Sequence, residues 1–327
     1  MNDTMNDTVY LEILRVISEA RMGLRVNEIE KMLRERGLKL SEKTIRNRLE
    51  KLLKDGFLEK DNASWLLTEK GREVLTTKMV FERLGEFSET VEYNLLRSTF
   101  NLYTMEGTVP TSFAIIDKDK FEKAMEILAL VLNSEVSTTN LVAVFDEGEI
   151  ADSIVVENGK VALGTISSTI YDIIMLNIGV VLKVEYAGLL KYVGSKPYGL
   201  VELINYSGTT ISPGLLLVRA GYTSVFNVVK SGDGFVVTAI RSFNPHALEE
   251  VRNEVILAES RGIGKVIAIT PPMTDIFGIP TGRRAMMMFQ AGINQLSPLY
   301  ELGLDPELKI NQALIDFKIF KRVNKLT

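Results

Sequence analysis

The chain has 327 residues, 46% of them apolar and 24% charged, with a net charge of −4. That length calls for two or three domains of ordinary soluble composition. Zero cysteines exclude disulfides and thiolate chemistry, one histidine leaves no histidine metal cluster or catalytic triad, and no apolar run approaches a membrane span.

Met1 to Thr8 is a polar stub with no signal-peptide core, which fits a cytoplasmic protein. From Val9 to Lys78 the pattern is that of a winged helix-turn-helix. Tyr10, Ile13, Leu14 and Ile17 form one helical stripe, and Val26, Ile29 and Leu33 form a second that Gly37 stops. A third helix opens after Ser41, a plausible N-cap, and buries Ile45, Leu49, Leu52 and Leu53. Its other face carries Lys43, Arg46, Asn47, Glu50 and Lys54, with Arg48 and Lys51 on the flanks. Strand 57–60, turn 61–64 and strand 65–67 then read as a wing, and Thr68 opens a closing helix.

Charge agrees with this geometry. Residues 9–78 hold 16 Lys and Arg against 12 Asp and Glu, so 16 − 12 = +4, while the whole chain is −4 and the remainder therefore −8. A basic reader on an acidic body suits contact with DNA phosphates without general stickiness. Arg46 and Asn47 are the types that address guanine and adenine edges, and Lys43, Thr44, Arg48, Lys51 and Lys60 are types that hold phosphates. The expected partner is double-stranded operator DNA.

Behind the reader the chain repeats with a period near 124 residues, as two α/β halves at about 90–190 and 222–304. Strand 112–117, helix 118–133, strand 141–144, strand 161–166 and helix 168–177 are followed by strand 236–242, helix 245–261, strands 266–269 and 284–290, and a helix stopped by Gly303. The turns at Met105-Glu106-Gly107 and Gly232-Asp233-Gly234 precede the two copies. His246 falls at a helix start, where a capping or surface role is expected. Residues 180–232 show no counterpart, with an insert at about 191–221. Within that region Asn205-Tyr206-Ser207-Gly208-Thr209-Thr210 leads into a helix ending at Arg219. Such a loop can present hydroxyls and N–H groups to an anion, or it is an ordinary helix cap. Domains are expected at 1–78 and 79–327, the second an α+β or α/β regulatory body.

Several stretches resemble the NrpR family of archaeal repressors of nitrogen fixation and ammonia assimilation genes. They are Glu185-Tyr186-Ala187-Gly188-Leu189-Leu190, Val201-Glu202-Leu203-Ile204-Asn205-Tyr206-Ser207-Gly208-Thr209-Thr210 and Arg219-Ala220-Gly221-Tyr222-Thr223-Ser224-Val225. Lys120–Ala124, Asn140–Val144 and Gly159–Ser167 extend the likeness over nearly the whole chain. Two departures stand out: a Cys common in the family is Ser167 here, and the family's Gly-Gly-Leu-Asn-Pro turn is Ala291-Gly292-Ile293-Asn294-Gln295. The stripe Met286-Met287-Met288 beside it reads as core filling.

The resemblance implies a non-enzymatic repressor that 2-oxoglutarate releases from its operator. It also implies no cofactor, a homodimer, and a second regulatory subunit of the same family as a further partner. A dianion needs cationic or N–H donors. Ser207, Thr209, Thr210, Arg219, Thr223, Ser224 and Arg241 are the expected effector-binding residues. A body that senses another metabolite, or only recruits a partner, is the alternative. An enzyme fused to a DNA reader is disfavoured, because no nucleotide fingerprint, metal cluster or nucleophile–base pair is visible.

Overall fold

The computed structural model describes residues 7–20, 23–152, 154–264 and 266–323. They fall into two compact units that divide after Leu84. The division lies beyond residue 78, because Met79 is buried and Arg83 reaches back to donate to the Thr76 carbonyl at 3.2 Å.

The first unit is a winged helix. Helices α1 (Thr8–Glu19), α2 (Val26–Glu35) and α3 (Glu42–Lys54) precede the hairpin β1 (Leu58–Asp61) and β2 (Ser64–Leu67), and α4 (Glu69–Lys78) closes the unit. Three of the four starts are capped by side chains: Asp7, Ser41 and Thr68 accept from the N–H groups of Val9, Thr44 and Gly71. Gly37, at φ +83°, ends α2, and the Leu38 N–H returns to the Leu33 carbonyl at 2.9 Å. The wing turn is tighter than expected, with Asn62 alone at positive φ (+54°) between strands that reach Asp61 and Ser64. Leu24 adds a bridge to Trp65 as a third short partner. One core of Ile13, Leu14, Ile29, Leu33, Ile45, Leu49 and Trp65 joins all of it.

The second unit is α+β. It begins with α5 (Glu86–Arg97) and then runs β3 (Thr108–Asp117), α6 (Phe121–Leu132), β4 (Leu141–Phe145), the small hairpin β5 (Ile150–Ala151) and β6 (Ile154–Val155), β7 (Lys160–Ile166) and α7 (Ile170–Asn177). The chain continues with β8 (Lys183–Val193), β9 (Lys196–Asn205), α8 (Pro213–Arg219) and α9 (Val225–Ser231). The second copy is β10 (Gly234–Phe243), α10 (Leu248–Ser260), β11 (Val266–Thr270), β12 (Asp275–Ile276), β13 (Ile279–Pro280), β14 (Ala285–Gln290), α11 (Ser297–Glu301) and β15 (Glu307–Asp316), with β16 (Lys321–Arg322) last.

The two copies exchange a strand. One antiparallel sheet has the order β15-β3-β7-β4-β16 and the other β9-β8-β10-β14-β11. Strand β8, at the end of the first copy, therefore lies on β10 of the second, and β15 of the second lies on β3 of the first. Thus β8 does have a counterpart, β15, and the expectation that residues 180–232 stand outside the repeat is corrected. The 191–221 insert is corrected in part as well. Helix α8 packs on β8 and α11 as α5 packs on β15 and α7, so it completes the second copy. Sequence periodicity missed this because paired strands need not be neighbours in the chain.

Both faces of β3 are covered: Phe113 and Ile115 join one core while Ala114 and Ile116 join another, and both cores draw residues from both sheets. Met287 fills the first core, and Met286 and Met288 a third, as the stripe predicts. His246 is exposed beside an Asn244 cap.

In the first unit Gly71 has no room for a side chain. A Cβ there lies 2.3 Å from the Phe57 carbonyl oxygen, at the base of the wing. Gly71→Ala is expected to destabilise this unit by about 1–3 kcal/mol. The fluorescence of Trp65, the sole tryptophan, measures it through a lowered unfolding midpoint.

Candidate functional site

Helix α3 splits its basic residues between two sides. Ile45, Leu49 and Leu52 are buried, and Lys43, Arg46, Asn47 and Lys54 are exposed on the opposite side. Arg46 is held by Glu42 one turn earlier, with Nε 3.0 Å from Oε1, which fixes its fork on the free face. Arg48 and Lys51 point elsewhere. The Arg48 guanidinium donates to Asp7 at 2.8 Å and lies 4.5 Å over the Tyr10 ring, and Lys51 Nζ is 5.2 Å from the same ring.

That Arg48 bond, with the Val9 N–H, holds the Asp7 carboxyl below the usual range. Arg48 and Lys51 therefore lie on the flank of α3 toward α1, as expected, with Arg48 half-buried and Lys51 exposed. The cause is helical spacing, which puts positions 44, 48 and 51 on the flank toward α1. Thr44 is half-buried, with its hydroxyl 2.8 Å from Ser41 at the cap. Lys60 stands on the wing, 4.9 Å over Trp65.

A groove of about 430 Å³ runs between the start of α2, α3 and the wing, lined by Arg25, Asn27, Arg46, Lys60, Asn62 and Trp65. Arg25 was not among the expected contacts. Its signal in the sequence is a basic residue just before an amphipathic helix.

In the second unit the expected effector residues do not converge. The Ser207 hydroxyl and N–H both turn to Asn205, and the Thr209 hydroxyl bonds the backbone of Ile211. Thr210 is half-buried, and Arg219 is exposed in the last turn of α8. Ser224 accepts from the Phe235 N–H at 2.9 Å, and Thr223 is buried with its hydroxyl unpartnered. The cap reading of residues 205–213 therefore describes this loop, with Ser212 capping α8.

Arg241 differs from the others. It is 1% exposed on β10, and it forks onto Asp172 of α7, with Nε to Oδ1 at 2.8 Å and Nη2 to Oδ2 at 3.3 Å. Its guanidinium lies between the rings of Tyr206 and Phe289, 5.6 and 5.5 Å from their centroids. Tyr206 in turn stacks on Phe87 at 5.4 Å. Burial pushes the Asp172 carboxyl up and the guanidinium pulls against it. On Arg241 burial is the largest single influence and acts to lower, but Asp172 and Tyr206 together outweigh it and the proton is held more tightly than usual.

A cavity with about 30 Å³ of free space adjoins the pair, lined by Tyr206, Arg241, Ser167, Ser168, Gly292 and Asn311 among others. Here the two copies meet at equivalent positions. The Ser168 hydroxyl accepts from the Gly292 N–H at 3.0 Å, 124 residues away. A Cβ on Gly292 lies 2.7 Å from Ser168 N, so the two backbones touch. A bulge in β15 puts Asn311 at φ +56°, where its carboxamide accepts from Thr169 at 3.2 Å. The expected set thus contributes Arg241 alone. Asp172, Tyr206, Ser168 and Asn311 were missed, although both family departures, Ser167 and the Ala291–Gln295 turn, lie at this seam. The arrangement offers a guanidinium already paired with Asp172, several hydroxyls and backbone N–H groups, donors of the kind a carboxylate accepts.

A winged helix with a basic recognition face, followed by a duplicated α+β body, defines a winged-helix transcription regulator. Residues 84–322 match the family model for NrpR regulatory domains NRD1 and 2, and residues 11–75 match a ribonuclease R winged-helix domain. The chain belongs to the NrpR family. It is 27% identical over 326 residues to the global nitrogen regulator NrpRI of Methanosarcina mazei, covering 99% of this chain and 100% of that protein. It is 28% identical to NrpR of Methanocaldococcus jannaschii, covering 98% of this chain and 56% of that longer protein. A crystal structure of a nitrogen repressor-like protein from Methanococcus jannaschii shares the fold, with a TM-score of 0.60 at 20% identity over 74% of this chain and 98% of that one. These relatives are regulators, not enzymes, and no helix among the described residues is long and apolar enough to cross a membrane.

Removing one member of the buried pair leaves an uncompensated charge. Asp172→Ala is expected to destabilise the second unit by about 3–5 kcal/mol, whereas the double variant Asp172→Leu with Arg241→Met recovers most of the loss. Circular dichroism during chemical denaturation reads both.

Proposed function

We propose that this chain is a DNA-binding repressor of nitrogen fixation and assimilation genes, released from its operator by 2-oxoglutarate. The observation that carries the reading is the end-to-end correspondence with NrpRI, which spans reader and body together. The winged helix supplies the DNA contact: Arg46 and Asn47 address base edges, and Lys43, Lys60 and Arg25 hold phosphates. As a homodimer, two recognition helices meet successive major-groove faces about one turn apart.

The effector enters at the seam beside Arg241. One carboxylate takes the guanidinium edge that Asp172 leaves open, and the other takes the hydroxyls and N–H groups around Ser168 and Thr169 at the start of α7. The present cavity is too small for a five-carbon dianion, so binding requires the Ser168 and Gly292 loops to part. A ligand that binds only the parted form shifts the equilibrium by its differential affinity. Coupling of about 1–3 kcal/mol corresponds to roughly 5–150-fold in operator affinity.

Titrating 2-oxoglutarate into an operator-bound sample tests this reading. Release with a change in that range is expected, and unchanged operator affinity at saturating effector would sink it. Arg46→Ala is expected to cost about 1–3 kcal/mol and to relax preference at one base pair, measured by competition among operator variants.

A further inference from the structure

A second opening in this unit lies away from the Arg241 cavity. It is a groove of about 540 Å³ between the loop after α6, the end of α10 and the edge strand β16, a volume ordinary for metabolite sites. It too joins equivalent parts of the two copies, since the Gly264 N–H donates to the Thr138 carbonyl at 2.9 Å.

Its polar lining carries both signs. Arg261 and Arg322 line it, both exposed and with no ion-pair partner among the described residues. Glu259 and Glu135 line it as well, and among the described residues the Glu259 carboxylate accepts a long 3.4 Å bond from the Val266 N–H. Thr138 is 1% exposed, yet its hydroxyl has no partner, an unusual state for a buried polar group. Leu132, Leu141, Met105 and Phe317 supply an apolar wall.

The loop is also held rigid. The Ser137 hydroxyl lies 2.6 Å from the Thr139 carbonyl and 3.0 Å from Gln295 Oε1, and Gln295 Nε2 donates to the Ile166 carbonyl at 2.8 Å. Preorganised donors lose little freedom when a ligand arrives.

We propose that this groove binds a free α-amino acid with an apolar side chain. Its carboxylate meets Arg261 and Arg322, its ammonium meets Glu259, Thr138 completes the polar end, and the side chain lies on the apolar wall. A simple dianion fits less well, because Glu259 repels it. The site shares no lining residue with the Arg241 seam, and its assignment does not rest on the identity of the ligand there.

The full chain is titrated calorimetrically with L-leucine, L-methionine and L-phenylalanine. The controls are 4-methyl-2-oxopentanoate, which lacks the ammonium, and 3-methylbutylamine, which lacks the carboxylate. Saturable heat is expected from at least one of the three amino acids, with at least tenfold weaker binding of both controls. Arg261→Ala with Arg322→Ala is expected to abolish the heat while circular dichroism and operator binding stay unchanged. No heat from any of the three, equal binding of the keto acid, or heat that survives the double variant overturns the proposal. The same samples titrated with 2-oxoglutarate keep the readings apart. Binding that the double variant retains leaves the seam as the effector site, and binding that it abolishes overturns the amino-acid assignment of this groove.

Discussion

The second unit depends on one buried ion pair. Asp172 belongs to the first copy and Arg241 to the second, and both are 1% exposed. Two charges taken out of water cost several kcal/mol each unless they find one another in good geometry. The fork at 2.8 and 3.3 Å, and the aromatic faces on either side, provide that geometry. The copies therefore cannot part widely without stranding a charge, and the seam has few arrangements that keep the pair intact.

Strand exchange explains why such a seam exists at all. Because β8 completes the sheet of the second copy and β15 that of the first, neither copy closes its own sheet. The cores are shared in consequence, and the equivalent loops at Ser168 and Gly292 are pressed together rather than exposed. Gln295 extends this contact inward, linking the Ile166 and Gly292 carbonyls to Ser137 at the floor of the large groove. A displacement at either opening is thus felt by the same few buried hydrogen bonds, which is the material a coupling free energy needs.

The first unit shows how one helix serves two ends. A helix of 13 residues with five basic side chains looks uniformly suited to phosphate. Its period assigns Ile45, Leu49 and Leu52 to the core, Arg48 and Lys51 to Tyr10 on α1, and Lys43, Arg46 and Asn47 to open solvent. The inner pair fixes how α3 lies on α1, and the outer set is left to read. A cation over a half-buried ring is worth about 0.5–2 kcal/mol, comparable with one base contact. The division of labour is energetic as well as geometric.

What the sequence determined by itself is what local physics controls. The stripes at Ile13 and Ile45, the caps at Ser41 and Thr68, the stop at Gly37 and the alternation of elements in both copies each depend on neighbours within a few residues, so the winged helix and the duplicated body were legible. In the second unit the candidate site was legible only at Arg241. Only the tertiary structure decided that Arg241 faces Asp172 across 69 residues, that Ser168 meets Gly292 across 124, and that Asn311 turns inward on a bulge. It also decided that the Thr209 and Ser224 hydroxyls turn to nearby backbone and that Arg219 stands in solvent. Their residue types suit an anion, but a side chain's type does not say which way it points. Direction comes from strand order and register, and here the order is set by an exchange between copies that no local pattern records.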